Sequence, residues 1–149
     1  MRIYLDNNAT TELDSEVFDT VVQSLSLYGN PSSAHYHGQQ AKNLLIKSRT
    51  QVASFFKVKP KEVIFTSSGT EANNLILKGL FGERPSGHII TSNVEHASVY
   101  NTIKALEKSG CSVTYLEVGK RGSVTQEQAA AAITSETRLI ALIGVNNET

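Results

Sequence analysis

The sequence predicts an α/β fold, a mostly parallel β-sheet with helices on its faces. Two observations carry this. From residue 62 onward, short apolar runs alternate with longer stretches of helical periodicity, in the order strand, helix, strand, helix, strand, helix, strand. Three helix starts in that region place a hydroxyl residue three positions before Glu or Gln: Ser68 with Glu71, Ser92 with Glu95, and Thr125 with Gln128. That spacing is the signature of a capping box, and helix initiation alone accounts for it.

Residues 1–14 are polar and irregular and read as an N-terminal arm, with Asn7-Asn8 and Thr10-Thr11. From Ser15, the residues Val17, Phe18, Val21, Val22 and Leu25 recur at helical spacing. Gly29-Asn30-Pro31-Ser32-Ser33 breaks the chain with turn residues. A second helix presents Ala41, Leu44, Leu45, Ser48, Val52 and Phe55 on one face, and Pro60 lies beyond its end. Residues 62–66 predict a strand and 69–80 a helix with Ala72, Leu75, Ile76 and Leu80 inward. Then come a strand over 88–91 and a helix over 94–108 with Ala97, Tyr100, Ile103 and Leu106 inward. A strand over 112–118, a turn over 119–122, a helix over 126–133 and a strand over 138–144 complete the series. Gly144-Val145-Asn146-Asn147-Glu148-Thr149 follows the last strand directly, where a parallel strand would lead into another crossover. The expectation is a sequence that stops within a domain; a short domain ending on an edge strand is the alternative.

Fourteen basic and fourteen acidic side chains cancel, and no run of like charge suggests a nucleic-acid partner. No apolar stretch approaches the length of a membrane span, and the N-terminus lacks the apolar core of a signal peptide. The apolar share of 40% suits a packed core. One cysteine, Cys111, forms no internal disulfide, which fits a reducing, cytoplasmic setting. It is expected to pack as a small apolar residue. His35 and His37 stand two apart with no acidic or cysteine ligand near, so no metal site is expected. His88, opening a strand, is expected to be structural and partly exposed.

Ligands of open α/β sheets bind outside the carboxyl ends of the strands. The segments placed there are Thr66–Glu71, Thr91–His96 and Val145–Glu148. In the first, Gly69 lets an anion approach the backbone. Free N–H groups, the helix dipole and the hydroxyls of Ser68 or Thr70 favour a phosphate. A plain helix cap explains the same residues, and neither a Walker A loop nor a dinucleotide fingerprint is present. His96 falls near a helix N-terminus, which favours its neutral form; a neutral ring could stack on an aromatic ligand, accept a proton, or simply lie at the surface. Asn147 could bond a ring oxygen or close a turn.

Taken together, several segments resemble the NifS/IscS-type cysteine desulfurases of the class V aminotransferase group. These are Tyr4-Leu5-Asp6-Asn7-Asn8-Ala9-Thr10-Thr11; Gly29-Asn30-Pro31-Ser32-Ser33 with His35, Gly38 and Ala41; Phe65 through Asn74; His88 through His96; and Val145-Asn146-Asn147-Glu148-Thr149. The resemblance runs the length of the chain. It implies the N-terminal portion of the large domain of a pyridoxal-phosphate (PLP)-dependent transferase of fold type I, with residues 15–149 as its first part. It further implies that Gly69 and Thr70 bind the PLP phosphate, that His96 stacks on the ring and assists proton transfer, and that Asn147 bonds the ring hydroxyl oxygen. Asn7 and Asn30 would border the substrate pocket. The implied reaction takes L-cysteine to L-alanine and an enzyme persulfide for iron–sulfur cluster assembly or thiolation. A homodimer and a scaffold or sulfur-acceptor protein are the implied partners.

The departures are as informative. The family's Schiff-base lysine stands in a Ser/Thr-x-His-Lys segment, and none of the nine lysines here has that context. The pyridinium-pairing aspartate and the nucleophilic cysteine also have no counterpart, since Cys111 does not match. His37 replaces an expected aromatic residue, and Gly69 a frequent alanine. The 149-residue chain alone is therefore expected to be inactive. The alternatives are another class V PLP enzyme such as a selenocysteine lyase, a non-catalytic split half acting through a partner chain, and a generic phosphate-binding α/β module.

Overall fold

A computed structural model describes residues 3–119 and 122–146. It divides into two compact units at the Phe65/Thr66 boundary, and each is described by itself.

In the first unit, Asp14 starts helix α1 (Ser15–Ser24) by accepting the N–H of Glu16 at 2.9 Å. The apolar stripe lies on this helix as its periodicity predicts, with Val17, Phe18, Val21 and Val22 about half exposed in this structure. Helix α2 (Tyr36–Phe56) is capped by the Nδ1 of His35, which accepts from Gly38 N. Ahead of it, Asn30 closes the turn twice: its Oδ1 accepts from Ser32 N and its carbonyl from Ser33 N, both at 2.9 Å. Gly38 is needed here, because a Cβ would lie 2.5 Å from the Ser33 carbonyl oxygen.

The strand expected over 62–66 does not form. Pro60–Glu62 is a single 3-10 turn, closed by the Lys59 N–H donating to the Glu62 carboxylate. Val63 is extended, with φ −94° and ψ 120°, but no ladder reaches it among the described residues. Its carbonyl accepts from Arg49 Nε at 3.3 Å. β-branched and aromatic residues favour the extended backbone, whereas a strand needs a paired neighbour.

The second unit is built on a three-stranded parallel sheet: β1 (His88–Ser92), β2 (Ser112–Leu116) and β3 (Thr137–Ala141), in the order β2-β1-β3. Paired on both edges, β1 is buried along its whole length, which explains its unbroken His-Ile-Ile-Thr-Ser run in place of an alternation. Helices α3 (Gly69–Phe81) and α4 (Ala97–Lys108) pack together, and Leu77, Phe81, Ile89, Ile103, Leu106 and Cys111 form the core. Cys111 packs as a small apolar side chain, as expected. The short α5 (Gln126–Ala132) carries both bonds of the Thr125–Gln128 capping box.

Several sequence expectations shift here. On α3 the buried positions are Leu77 and Phe81, while Leu75, Ile76 and Leu80 are exposed. On α4 the buried set is Ser98, Thr102, Ile103 and Leu106, and Ala97 is exposed. The reason is polar. Asn73 donates to Ser98 Oγ at 2.9 Å, and Thr102 donates to Asn74 Oδ1 at 3.1 Å. Satisfied in pairs, these groups bury more cheaply than a simple apolar stripe implies. His88 is buried too, not partly exposed, with each ring nitrogen 2.8 Å from a threonine hydroxyl, Thr137 on one side and Thr114 on the other.

One residue of β3 breaks register. His88 pairs with Thr137 and Ile89 with Leu139, leaving Arg138 as a bulge. Its guanidinium donates to the carbonyls of Ser86 and Leu80 and lies over the Phe81 ring. Gly87 makes room for it: its φ is +99°, and a Cβ would come within 2.6 Å of Arg138 Cδ. Gly87→Ala is therefore expected to destabilise the protein by about 1–3 kcal/mol, from backbone strain and the displaced arginine. Denaturant unfolding followed by circular dichroism checks this, and an unchanged midpoint would contradict it.

Candidate functional site

The turns before α3 and α4 are two of the segments that the sequence reading places at strand carboxyl ends; both belong to the second unit, and only the second follows a strand of the sheet, β1. At the first, Ser68 Oγ accepts the Glu71 N–H at 3.1 Å, as the capping spacing predicts. Glu71 departs from the capping box: its carboxylate reaches one residue further back and accepts both the N–H and the hydroxyl of Ser67 at 2.7 Å. These two bonds, the hydroxyl's first, hold the Glu71 carboxyl below the usual carboxylate range. The acidic group is thus turned away and satisfied. The N–H groups of Gly69 and Thr70 and the Thr70 hydroxyl have no hydrogen-bond acceptor among the described residues. Nothing lies within 4 Å of where a Gly69 Cβ would stand, so the space outside these donors is open. Exposed donors at the positive end of a 13-residue helix are what a phosphate group needs.

The second turn starts its helix later than expected. Ser92 stays in the β1 ladder opposite Leu116, so it cannot cap α4, and its hydroxyl donates to Glu95. The cap is His96, whose Nδ1 accepts the Ser98 N–H at 3.1 Å. The Ser98 hydroxyl sits 2.8 Å from the same nitrogen. Glu95 accepts the N–H of Ile143 at 3.0 Å, Asn93 donates to Glu117, and Asn146 donates to the Val94 carbonyl. The turn after β1 is in this way fastened to the segments after both neighbouring strands. Thr70, His96 and Asn101 line one open hollow of about 450 Å³. His96, Asn101 and Asn146 line another of about 330 Å³.

The remaining predicted residues separate. Asn147 lies outside the described residues, as does Glu148. Asn7 and Asn30 belong to the first unit. The carbonyl of Asn7 accepts from the Thr11 hydroxyl, and the side chain of Asn30 is engaged in its own turn. His37 stacks on Tyr28, with ring centroids 4.7 Å apart. Burial pushes the Cys111 thiol above its ordinary range, with the Arg138 charge partly opposing, so it is poorly suited as a nucleophile. Among the described residues there is no cluster of three or more metal-type ligands and no helix long and apolar enough to cross a membrane. Sequence reasoning missed Asn73 and Ser98. The available signal was the four-residue spacing of Ser98 and Thr102, two hydroxyls on one helical face that also carries core residues.

Glu95→Ala removes the acceptor of the Ile143 N–H. The Ile143 amide is expected to exchange with deuterium roughly tenfold faster or more, while amides within β1 keep their protection. Equal exchange in both proteins would show that Glu95 does not secure this segment.

The aminotransferase class-V family model matches residues 3–149. Cysteine desulfurase 2 of Trichormus variabilis is 45% identical over 149 residues, covering 99% of this chain and 37% of the relative. A NifS/IcsS protein homolog of Lactobacillus delbrueckii subsp. bulgaricus is 48% identical, covering 98% and 39%. A solved NifS-like protein superimposes with a TM-score of 0.91 at 38% identity, over 99% of this chain and 42% of that one. A structure described as SspA in complex with cysteine gives 0.90 at 37%, over 97% and 43%. The chain thus spans well under half the length of these relatives.

Proposed function

The chain belongs to the class V aminotransferase family, and on that premise we propose that it supplies the cofactor-binding part of a PLP-dependent cysteine desulfurase. Such an enzyme takes L-cysteine to L-alanine and leaves the sulfur as a protein persulfide. The observation that carries this reading is the trio of unpaired donors at Gly69 and Thr70, with Thr70 bordering the same hollow as His96. Relatives named cysteine desulfurase match over the whole chain, and a solved relative is described as bound to cysteine.

In this reading the Gly69 and Thr70 N–H groups and the Thr70 hydroxyl hold the phosphate of PLP. The flat ring of His96 stacks on the pyridine and manages a proton at Nε2. Asn147 bonds the ring hydroxyl oxygen, and Asn7 and Asn30 border the substrate. PLP, when bound, is the electron sink for a substrate carbanion. The family's lysine and nucleophilic cysteine have no match in residues 1–149, so these residues bind and orient without completing the reaction. The working assembly is a homodimer that passes sulfur to an acceptor or scaffold protein. A single buried, unpaired cysteine suits a reducing, cytoplasmic setting.

Binding measured by fluorescence titration tests the phosphate site. PLP is expected to bind the 149-residue chain at least about tenfold more tightly than pyridoxal, which lacks the phosphate. Thr70→Ala should weaken PLP roughly tenfold and leave pyridoxal unchanged, and no L-alanine should form from L-cysteine. Equal binding of PLP and pyridoxal would overturn the assignment of the site.

A further inference from the structure

We propose that Ser98, through its backbone N–H and a hydroxyl oriented by Asn73, holds His96 as the Nε2–H tautomer, so that the ring meets its ligand with a hydrogen-bond donor. The role toward the ligand rests on the PLP reading above; the tautomer itself does not.

A backbone N–H only donates, and the Ser98 N–H is directed at His96 Nδ1 at 3.1 Å. Nδ1 must therefore carry a lone pair, and the proton of the neutral ring sits on Nε2. The Ser98 hydroxyl lies 2.8 Å from the same nitrogen. With Nδ1 bare, that contact is an O–H donation from Ser98. The serine oxygen then has only lone pairs left to offer, and one of them receives the Asn73 Nδ2 hydrogen at 2.9 Å. Each donor thus selects the orientation of the next, from Asn73 through Ser98 to His96. Ser98 is buried, which shields this order from exchange with water.

The consequence is chemical. Both in-plane positions of the imidazole are committed: Nδ1 as an acceptor in the helix cap, Nε2 as a protonated nitrogen. No hydrogen bond within the protein uses the Nε2–H among the described residues. To take up a proton, the ring would have to protonate Nδ1 and surrender the cap of α4. His96 is therefore arranged to meet its ligand through a protonated Nε2 that can donate. Ser98 and Asn73 act as positioning residues.

The test needs no cofactor. In the 15N-labelled protein, long-range proton–nitrogen correlation of the imidazole reports which nitrogen carries hydrogen. Wild type is expected to show His96 with a bare Nδ1 and a protonated Nε2. Asn73→Asp replaces the donor by a carboxylate, which takes the Ser98 hydroxyl hydrogen and turns its lone pair toward the ring. The Ser98 N–H still holds Nδ1 bare, so Nε2 should stay protonated and the Nδ1 shift alone should move as its second donor is lost. Ser98→Ala is expected to move the Nδ1 shift in the same way with Nε2 still protonated, and Ser98→Thr to restore it. Unchanged β1 amide resonances certify the fold in each variant. A protonated Nδ1 in wild type, or identical ring shifts in wild type, Asn73→Asp and Ser98→Ala, would overturn the proposal. Failure of PLP to bind would instead count against the PLP reading and leave the tautomer result standing.

Discussion

Burial of β1 between two parallel neighbours is the constraint from which the site follows. A strand paired on both edges has no freedom to slide, because a one-residue slip would turn Ile89 out of the core that it shares with Leu77, Phe81, Ile103 and Leu106. The turn that leaves its carboxyl end is fixed with it. Asn93, Glu95 and the Val94 carbonyl then tie that turn to Glu117, Ile143 and Asn146, so the flanking strand ends inherit its position. His96 is the next residue, and its ring direction is set by capping the helix that begins there. The site's position is thus a consequence of hydrophobic burial; its orientation is a consequence of hydrogen bonding.

Polar contacts between α3 and α4 do a second job. Asn73 and Asn74 face Ser98 and Thr102, so the two helices that carry the phosphate-type turn and the histidine are fastened by complementary amide and hydroxyl groups. Apolar packing alone would hold them together without specifying which hydrogen points where. A paired network specifies it, because a reversed partner leaves a buried polar group unmet. The Asn73–Ser98 bond serves the packing and, in the proposal above, also orders the hydrogens at His96.

Much of this was legible in the sequence, for reasons that also explain the misses. Parallel topology followed from alternation, and Ser68 and Thr125 cap where their spacing says, because capping is local chemistry. Ser92 misled because its hydroxyl belongs to a strand, a non-local fact. The 62–66 segment misled because an extended backbone becomes a strand only with a partner. The inward faces of α3 and α4 were displaced by paired asparagines, serine and threonine, which hydrophobic periodicity counts as outward. Gly69, Thr70 and His96 were singled out by the rule that ligands gather at strand carboxyl ends, although only His96 follows a strand of the sheet, β1. Ser98 and Asn73 stayed hidden because their role is to act on another side chain.

In the proposed function the α3 turn and His96 grip one phosphate-bearing ring together. The most direct measurement follows the amide resonances of Gly69 and Thr70 and the ring resonances of His96 in the 15N-labelled protein as PLP is added. All three are expected to move along one binding curve, with inorganic phosphate moving only the two amides. Perturbations centred elsewhere, or a His96 ring indifferent to PLP while the amides respond, would contradict it.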